Sequence, residues 1–199
     1  MDWNDRFDRE EFVFGEAPAD FVRDRMAGLG IGTRILTIAE GEGRNAVWLA
    51  GQGYLVTAVE PTDTGRRKAM ALADRRKVSL KWLQQGLEGY DWPPNGFDAV
   101  LGCFFQFADP AFRAAILSGM ARTVVPGGTV FLHGFSTRQL ANNSGGPRSE
   151  PNLWTVDRIL PSFLGWQVLR AEDYDADLDE GPGHAGPAAL VDVIVRKPA

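Results

Sequence analysis

Seven short apolar runs punctuate the chain, and most stretches between them repeat hydrophobic residues at helical spacing. The runs are 34–39 (RILTIA), 54–60 (YLVTAVE), 78–84 (VSLKWLQ), 97–104 (FDAVLGCF), 128–135 (GTVFLHGF), 166–172 (WQVLRAE) and 189–196 (ALVDVIVR). Each has the length and the β-branched or aromatic content of a strand. Between them, residues 44–52 place Ala46, Leu49 and Ala50 on one side of a helix, and residues 64–77 predict a basic amphipathic helix around Met70 and Ala73. Asp109 followed by Pro110 reads as an N-cap with proline at the first helical position. Phe112, Ile116 and Met120 then recur every fourth residue until Pro126-Gly127-Gly128, which is expected to stop the helix. Thr155 is expected to cap a last short helix holding Ile159 and Leu160, cut short by Pro161.

Strands alternating with helices predict an α/β fold, a Rossmann-like doubly wound sheet that is mostly parallel. The last two runs break the alternation, because only DYDADLDEGPGHAGP (173–187) lies between them. They are expected to pair as an antiparallel hairpin with a long loop, giving a reversed C-terminal strand. Residues 1–19 and 136–152 read as irregular, and long loops at the carboxyl end of such a sheet commonly serve the site.

The length of 199 residues fits one domain, divided into an N-terminal region (1–30) and a Rossmann-like core (31–199). A formal net charge of -5 argues against a general nucleic-acid binder. A single cysteine excludes an internal disulfide. No apolar run approaches the roughly 20 residues of a membrane span, and the acidic start MDWNDRFDREEF is unlike a signal peptide, so a cytoplasmic location and no membrane partner are expected.

The chemistry concentrates in Ala39-Glu40-Gly41-Glu42-Gly43-Arg44-Asn45, the turn after the first run. Such a turn presents backbone N–H groups to a ligand. Ala46 stands at the third glycine position of the dinucleotide fingerprint, which tolerates it. Two carboxylates in the loop, however, would repel a pyrophosphate. A ligand with a positive centre and no phosphate, such as S-adenosylmethionine, suits the loop better. Glu60 ends the second run 17 residues after Gly43, where a carboxylate accepts hydrogen bonds from ribose hydroxyls.

With those residues in place, the chain resembles class I S-adenosylmethionine-dependent methyltransferases, and within them a small branch that includes tellurite-resistance and thiol methyltransferases. EGEGRNAVWLAGQGYLVTAVE is similar to the family's first motif and acidic second motif. WNDRF with FVFGEAPADFV resembles the branch's N-terminal lid, VVPGGTVFLHGFSTRQL its fifth strand and following loop, and DEGPGHAGPAALVDVIVRKP its C-terminal hairpin. The resemblance implies a seven-stranded sheet with a reversed last strand. It implies cofactor contacts at Glu40, Gly41 and Gly43, at Glu60 with the following Pro61, and, on the adenine side, at Gln85, Gly86 and Leu87. Phe14 in the lid, Arg44 and Cys103 complete that set. The sequence departs from relatives at three places. Thr37 stands where many have an acid, Phe14 where many have tyrosine, and Gln106 near a common histidine position.

The candidate acceptor-side residues are Phe104, Gln106, Arg138 and His184. Phe104, Phe105 and Phe107 are candidates for apolar walls, although strand alternation sends neighbours to opposite faces. His184 and His133 are the candidate proton-transfer groups; each also reads as a structural histidine. Cys103 reads either as a nucleophile or as a small core residue. Arg44 is expected to reach Glu40, Glu42 or the cofactor carboxylate. Arg138 and Arg148 flank a loop and can steer an oxyanion or lie solvated, and the basic runs at 66–68 and 75–77 read as a wet helix face. No metal is expected. The expected activity is methyl transfer to a small-molecule acceptor, a thiol or a chalcogen oxyanion. A non-catalytic S-adenosylmethionine-binding module and a nicotinamide-dependent oxidoreductase are the alternatives, and the oligomeric state stays open.

Overall fold

A computed structural model describes residues 2–199. In chain order the main elements are α1 (Trp3–Phe7), α2 (Asp20–Met26), β1 (Arg34–Ile38), α3 (Arg44–Gly51), β2 (Leu55–Val59), α4 (Asp63–Arg76), β3 (Lys81–Leu83), β4 (Phe97–Cys103), α5 (Pro110–Thr123), β5 (Val124–Phe135), α6 (Val156–Ile159), β6 (Gln167–Asp179) and β7 (Ala185–Arg196). The strands form a seven-stranded sheet in the order β3-β2-β1-β4-β5-β7-β6, with β7 antiparallel to β5. Two compact units divide the chain. One comprises the residues up to Tyr90 with Asp179–His184; the other comprises Asp91–Leu178 with Ala185–Ala199.

In the first unit, β1, β2 and β3 pair in parallel. Ile35, Leu36 and Ile38 on β1 and Val56 and Val59 on β2 are buried, as a sheet covered on both faces requires. α3 follows Gly43, which acts as its N-cap with φ 89°. It buries Ala46, Val47 and Leu49; Val47 packs with Leu72 and Ala73 of α4. Ala50, expected on that face, is only half-buried. α4 ends at Lys77 in the left-handed conformation, whose amide bonds the Ala73 and Asp74 carbonyls. The Val78 amide also returns to Ala73, so 78–80 belong to the helix exit and β3 is three residues rather than the seven expected.

In the second unit, Asp109 caps α5 by accepting from the Phe112 amide at 2.8 Å, and Ile116 and Met120 are buried. The helix stops at Thr123, and β5 begins at once with Val124. Pro126-Gly127-Gly128 therefore lies within β5. There the register slips from Phe97↔Val124 to Ala99↔Thr129, so the motif is a bulge and not the helix stop itself. Thr155 caps α6 as expected, and Pro161 converts its continuation to a 3-10 turn.

The C-terminal hairpin corrects the expected long loop. β6 runs to Asp179 and β7 starts at Ala185, leaving five residues, 180–184, at the tip. The acidic composition hid a two-residue period. Tyr174, Ala176 and Leu178 pack on the cluster of Phe135, Leu153 and Leu190, while the alternate aspartates take the other side. Among the described residues, no helix is long and apolar enough to cross a membrane.

Candidate active site

The cradle is built in the first unit, where β1 turns into α3. Gly41 (φ 62°) and Gly43 (φ 89°) hold conformations that side chains rarely adopt, and Ala39 accepts φ 51° despite its Cβ. A Cβ on Gly43 would fall inside the contact distance of Ala69 on α4, so this glycine lets two helices approach.

The two loop carboxylates do different work. Glu42 is buried and fully engaged: Lys68 donates to Oε1 at 2.7 Å and the Val13 amide to Oε2 at 2.8 Å. Its charge is neutralised, and it ties the N-terminal segment to α4. The expected repulsion of a pyrophosphate therefore rests on Glu40. That carboxylate accepts from the Ala46 amide at 2.6 Å. Burial pushes its pKa up to about 7, although the Ala46 amide, the Thr37 hydroxyl and Arg44 all favour the charged form. A buried carboxylate held this way fits a cationic ligand group.

Glu60 braces the loop from β2. Its Oε2 accepts from the Gly41 amide at 2.9 Å, and Oε1 from the Thr62 amide and hydroxyl at 3.1 and 2.8 Å. Burial raises this carboxyl above its usual value against those bonds. A carboxylate has about four lone-pair sites, so acceptor capacity remains for a ribose. Pro61 and Gln85 lie exposed, Gly86 is half-buried, and Leu87 is buried at the start of a 3-10 turn.

Over the loop lies the N-terminal segment. The Phe7 ring packs on Gly41, and Asn4 Oδ1 accepts from the Thr64 amide and hydroxyl at 3.0 and 2.7 Å. The Phe14 ring lies 6.3 and 6.4 Å from those of Trp3 and Phe7 and 4.4 Å from that of His184, between ring centroids. Arg44, expected to reach an acid such as Glu40 or Glu42 or the cofactor carboxylate, reaches a different acid, Glu180. Its guanidinium donates to Glu180 Oε2 at 2.7 Å and to the Phe14 carbonyl at 2.9 Å. Glu180 also accepts from the Asp20 amide at 3.0 Å, and the Gly183 amide donates to Val13 at 2.7 Å. Burial opposes the charge on Glu180, yet His184 and Arg44 hold its pKa down to about 2. His184 is 5% exposed with Nδ1 3.8 Å from Glu180. This places it in a clasp between hairpin tip and N-terminal segment.

The remaining candidates lie in the second unit. Cys103 ends β4 and Phe104 follows it, both half-buried, and Phe104 has φ 54°. Its ring lies 4.7 Å from those of His133 and Phe135. Phe105 is buried against Trp154 and Phe107 is exposed; both lie in the turn after β4, where strand alternation no longer applies. Gln106 brackets the Phe135 backbone, donating to its carbonyl at 2.6 Å and accepting from its amide at 2.8 Å, so it fixes the end of β5. Arg138 pairs with Asp173 and Asp175 on β6, and Arg148 bonds loop carbonyls at Leu140 and Asn142.

Sequence reasoning missed Glu180, Lys68 and Asp192. Lys68 was hidden in a basic run and Glu180 in an acidic one. Asp192 did leave a signal, as a lone charge amid Ala-Leu-Val-Asp-Val-Ile-Val.

A strand–turn–helix with a buried loop carboxylate, an acid after the second strand and a reversed last strand is the arrangement that the resemblance to class I S-adenosylmethionine-dependent methyltransferases implies. Residues 35–128 match the family described as a methyltransferase domain, and the chain is a methyltransferase with S-adenosylmethionine as its cofactor. Over its whole length it is similar to a thiopurine S-methyltransferase of Pseudomonas putida (strain W619), 26% identical over 98% of this chain and 96% of that one. Its fold is similar to that of TehB from Haemophilus influenzae, with a TM-score of 0.72 at 17% identity over 88% of this chain and 61% of the other. It is likewise similar to a protein studied for the conversion of a disulfide bond into a thioacetal group during echinomycin biosynthesis, with a TM-score of 0.75 at 19% identity over 95% and 85% of the two chains.

Proposed function

We propose that the methyl acceptor is the sulfur of a small thiol. The observation that carries this reading is the full-length likeness to an S-methyltransferase. The paired Phe104 and Phe135 rings at the carboxyl ends of β4 and β5 support it, since aromatic faces and edges favour a polarisable sulfur.

When bound, the cofactor supplies an electrophilic methyl carbon on a positively charged sulfur. Glu40 would hold the cationic part, Glu60 the ribose hydroxyls, and Gly86 and Leu87 the adenine side. Phe7, Phe14 and the clasped N-terminal segment keep water from the loop, and a desolvated sulfur anion is a stronger nucleophile. Incubating the full chain with S-adenosylmethionine and a panel of alkyl and aryl thiols, selenite and tellurite tests the reading. Methylated thiol together with S-adenosylhomocysteine, detected by mass spectrometry, is the expected result. Turnover with the oxyanions alone moves the acceptor to that class, and no turnover with any thiol overturns the proposal.

A further inference from the structure

In the second unit the buried His133 joins strand to strand: its Nδ1 lies 2.7 Å from Asp192 Oδ1, and Arg170 donates to Asp192 Oδ2 at 2.7 Å. Buried polar side chains of the first unit do something different. They hold a segment that has almost no hydrogen-bond ladder of its own. Residues 2–19 contain one five-residue helix, α1, so their remaining backbone groups need partners from elsewhere. Three such partners come from one stretch, the turn into α3. Glu42 accepts from the Val13 amide at 2.8 Å, Arg44 donates to the Phe14 carbonyl at 2.9 Å, and Asn45 Oδ1 accepts from the Ala19 amide at 2.9 Å. The three residues are no more than 6% exposed.

Helix caps are exchanged across the same junction. Neither α2 nor α4 is capped by the side chain of its own N-cap residue. At the start of α2, the Ala19 amide is met by Asn45 and the Asp20 amide by Glu180 Oε1 at 3.0 Å. At the start of α4, the Thr64 amide is met by Asn4 Oδ1 at 3.0 Å. Helix starts leave such donors orphaned, so the segment and the elements under it complete one another. The turn that supplies Glu42, Arg44 and Asn45 also carries Glu40 and is braced by Glu60 through the Gly41 amide. Gly41 and Gly43, both at positive φ, fix its course, and the Phe7 ring of the segment lies against Gly41. Segment and ligand therefore share one short piece of backbone. Whatever orders that backbone favours both, and the coupling between them must be reciprocal.

We propose that Glu42, Arg44 and Asn45 are positioning residues that tie cofactor exchange to the N-terminal segment, so that residues 2–19 must let go of the turn for S-adenosylmethionine to enter and S-adenosylhomocysteine to leave. The inference rests on the seating of the cofactor at Glu40 and Glu60 given above, and not on the identity of the acceptor. Within one turn, Glu40 serves the ligand while its neighbours at 42, 44 and 45 serve the segment. Opening the segment then precedes association and sets a ceiling on its rate, and the same bonds slow release.

The test follows binding of S-adenosylhomocysteine to the full chain by stopped-flow tryptophan fluorescence, with Asn45→Leu and Asn4→Ala beside the parent. In the parent the observed rate should level off as ligand concentration rises, at the rate of segment opening. Asn45→Leu removes the acceptor for the Ala19 amide. It should raise that ceiling and speed release, each by about fivefold, the effect of losing one helix cap. Asn45→Asp keeps an acceptor there and should restore the parent rates. Asn4→Ala frees the other end of the segment, should act in the same direction, and carries the comparison if Asn45→Leu does not fold. Hydrogen exchange of the unliganded variants should quicken at Val13 and Ala19 before the β1 and β2 amides. A parent rate that rises linearly with concentration, or variants that speed release and leave association untouched, overturns the inference and leaves these bonds purely structural. A parent that binds no S-adenosylhomocysteine by calorimetry overturns the cofactor seating itself, and this inference with it.

Discussion

At neutral pH the Glu40 carboxyl stands at the middle of its own titration, because burial pushes it up to about 7. The folded state then binds more protons than the unfolded chain between the ordinary carboxyl value and pH 7. Stability of the cofactor-free protein must fall as pH rises through that window, by on the order of 3 kcal/mol. Glu40→Gln keeps an acceptor for the Ala46 amide and removes the charge. It should flatten the fall, giving a higher melting temperature than the parent at pH 8, while weakening S-adenosylmethionine binding. Melting curves across pH and calorimetric titration check both halves; a variant that melts lower at pH 8 contradicts the burial argument. Glu180 has the opposite sign. Held down to about 2, it contributes stability above its ordinary value that is lost as pH falls towards 2. The two glutamates thus pull stability in opposite directions, since only Glu180 is bonded directly to a protein cation.

Among elements, the hairpin tip and the N-terminal segment act as one piece. Arg44 and Glu180 side chains are 7% and 4% exposed, so deleting one leaves the other buried and unpaired. Glu180→Ala should cost about 3–5 kcal/mol and speed hydrogen exchange at Val13, Asp20 and Gly183 well before the β1–β2 amides. Uniform acceleration across the unit would mean that the clasp is not a separate element. Gly43→Ala tests a second junction. The left-handed φ and the closeness of Ala69 combine there, so α3 and α4 must part. The expected outcome is a destabilisation of at least about 1–3 kcal/mol with cofactor binding lost, measured by urea unfolding and calorimetry. Alternation of runs and caps made these elements legible: α3, α4 and α5 fall within a residue or two of their expected bounds, and Asp109 and Thr155 cap as read. β6 was not legible past residue 172. Its aspartates looked like loop until Tyr174, Ala176 and Leu178 were seen to share a face.

For the whole molecule, the sheet with its reversed last strand and the loop acids were legible because backbone geometry and local motif dictate them. The partners of Arg44, Glu42 and His133 were not, since each lies on an element distant in sequence that no period reveals. Ligand linkage offers a test at this scale that needs no acceptor. A ligand that binds only the folded chain stabilises it by about 2.7 kcal/mol at a concentration of 100 times its Kd. For a chain of 199 residues that shifts the melting temperature by roughly 5–11 °C. S-adenosylmethionine should produce this shift, and it should grow as pH rises above 7, because there the Glu40 charge is fully formed and a cationic ligand relieves its burial. NAD, which would bring a pyrophosphate to the loop that holds the Glu40 carboxylate, should leave the melting temperature unchanged. A shift with S-adenosylmethionine that shrinks with rising pH would mean that another group, not Glu40, meets the cofactor's positive charge.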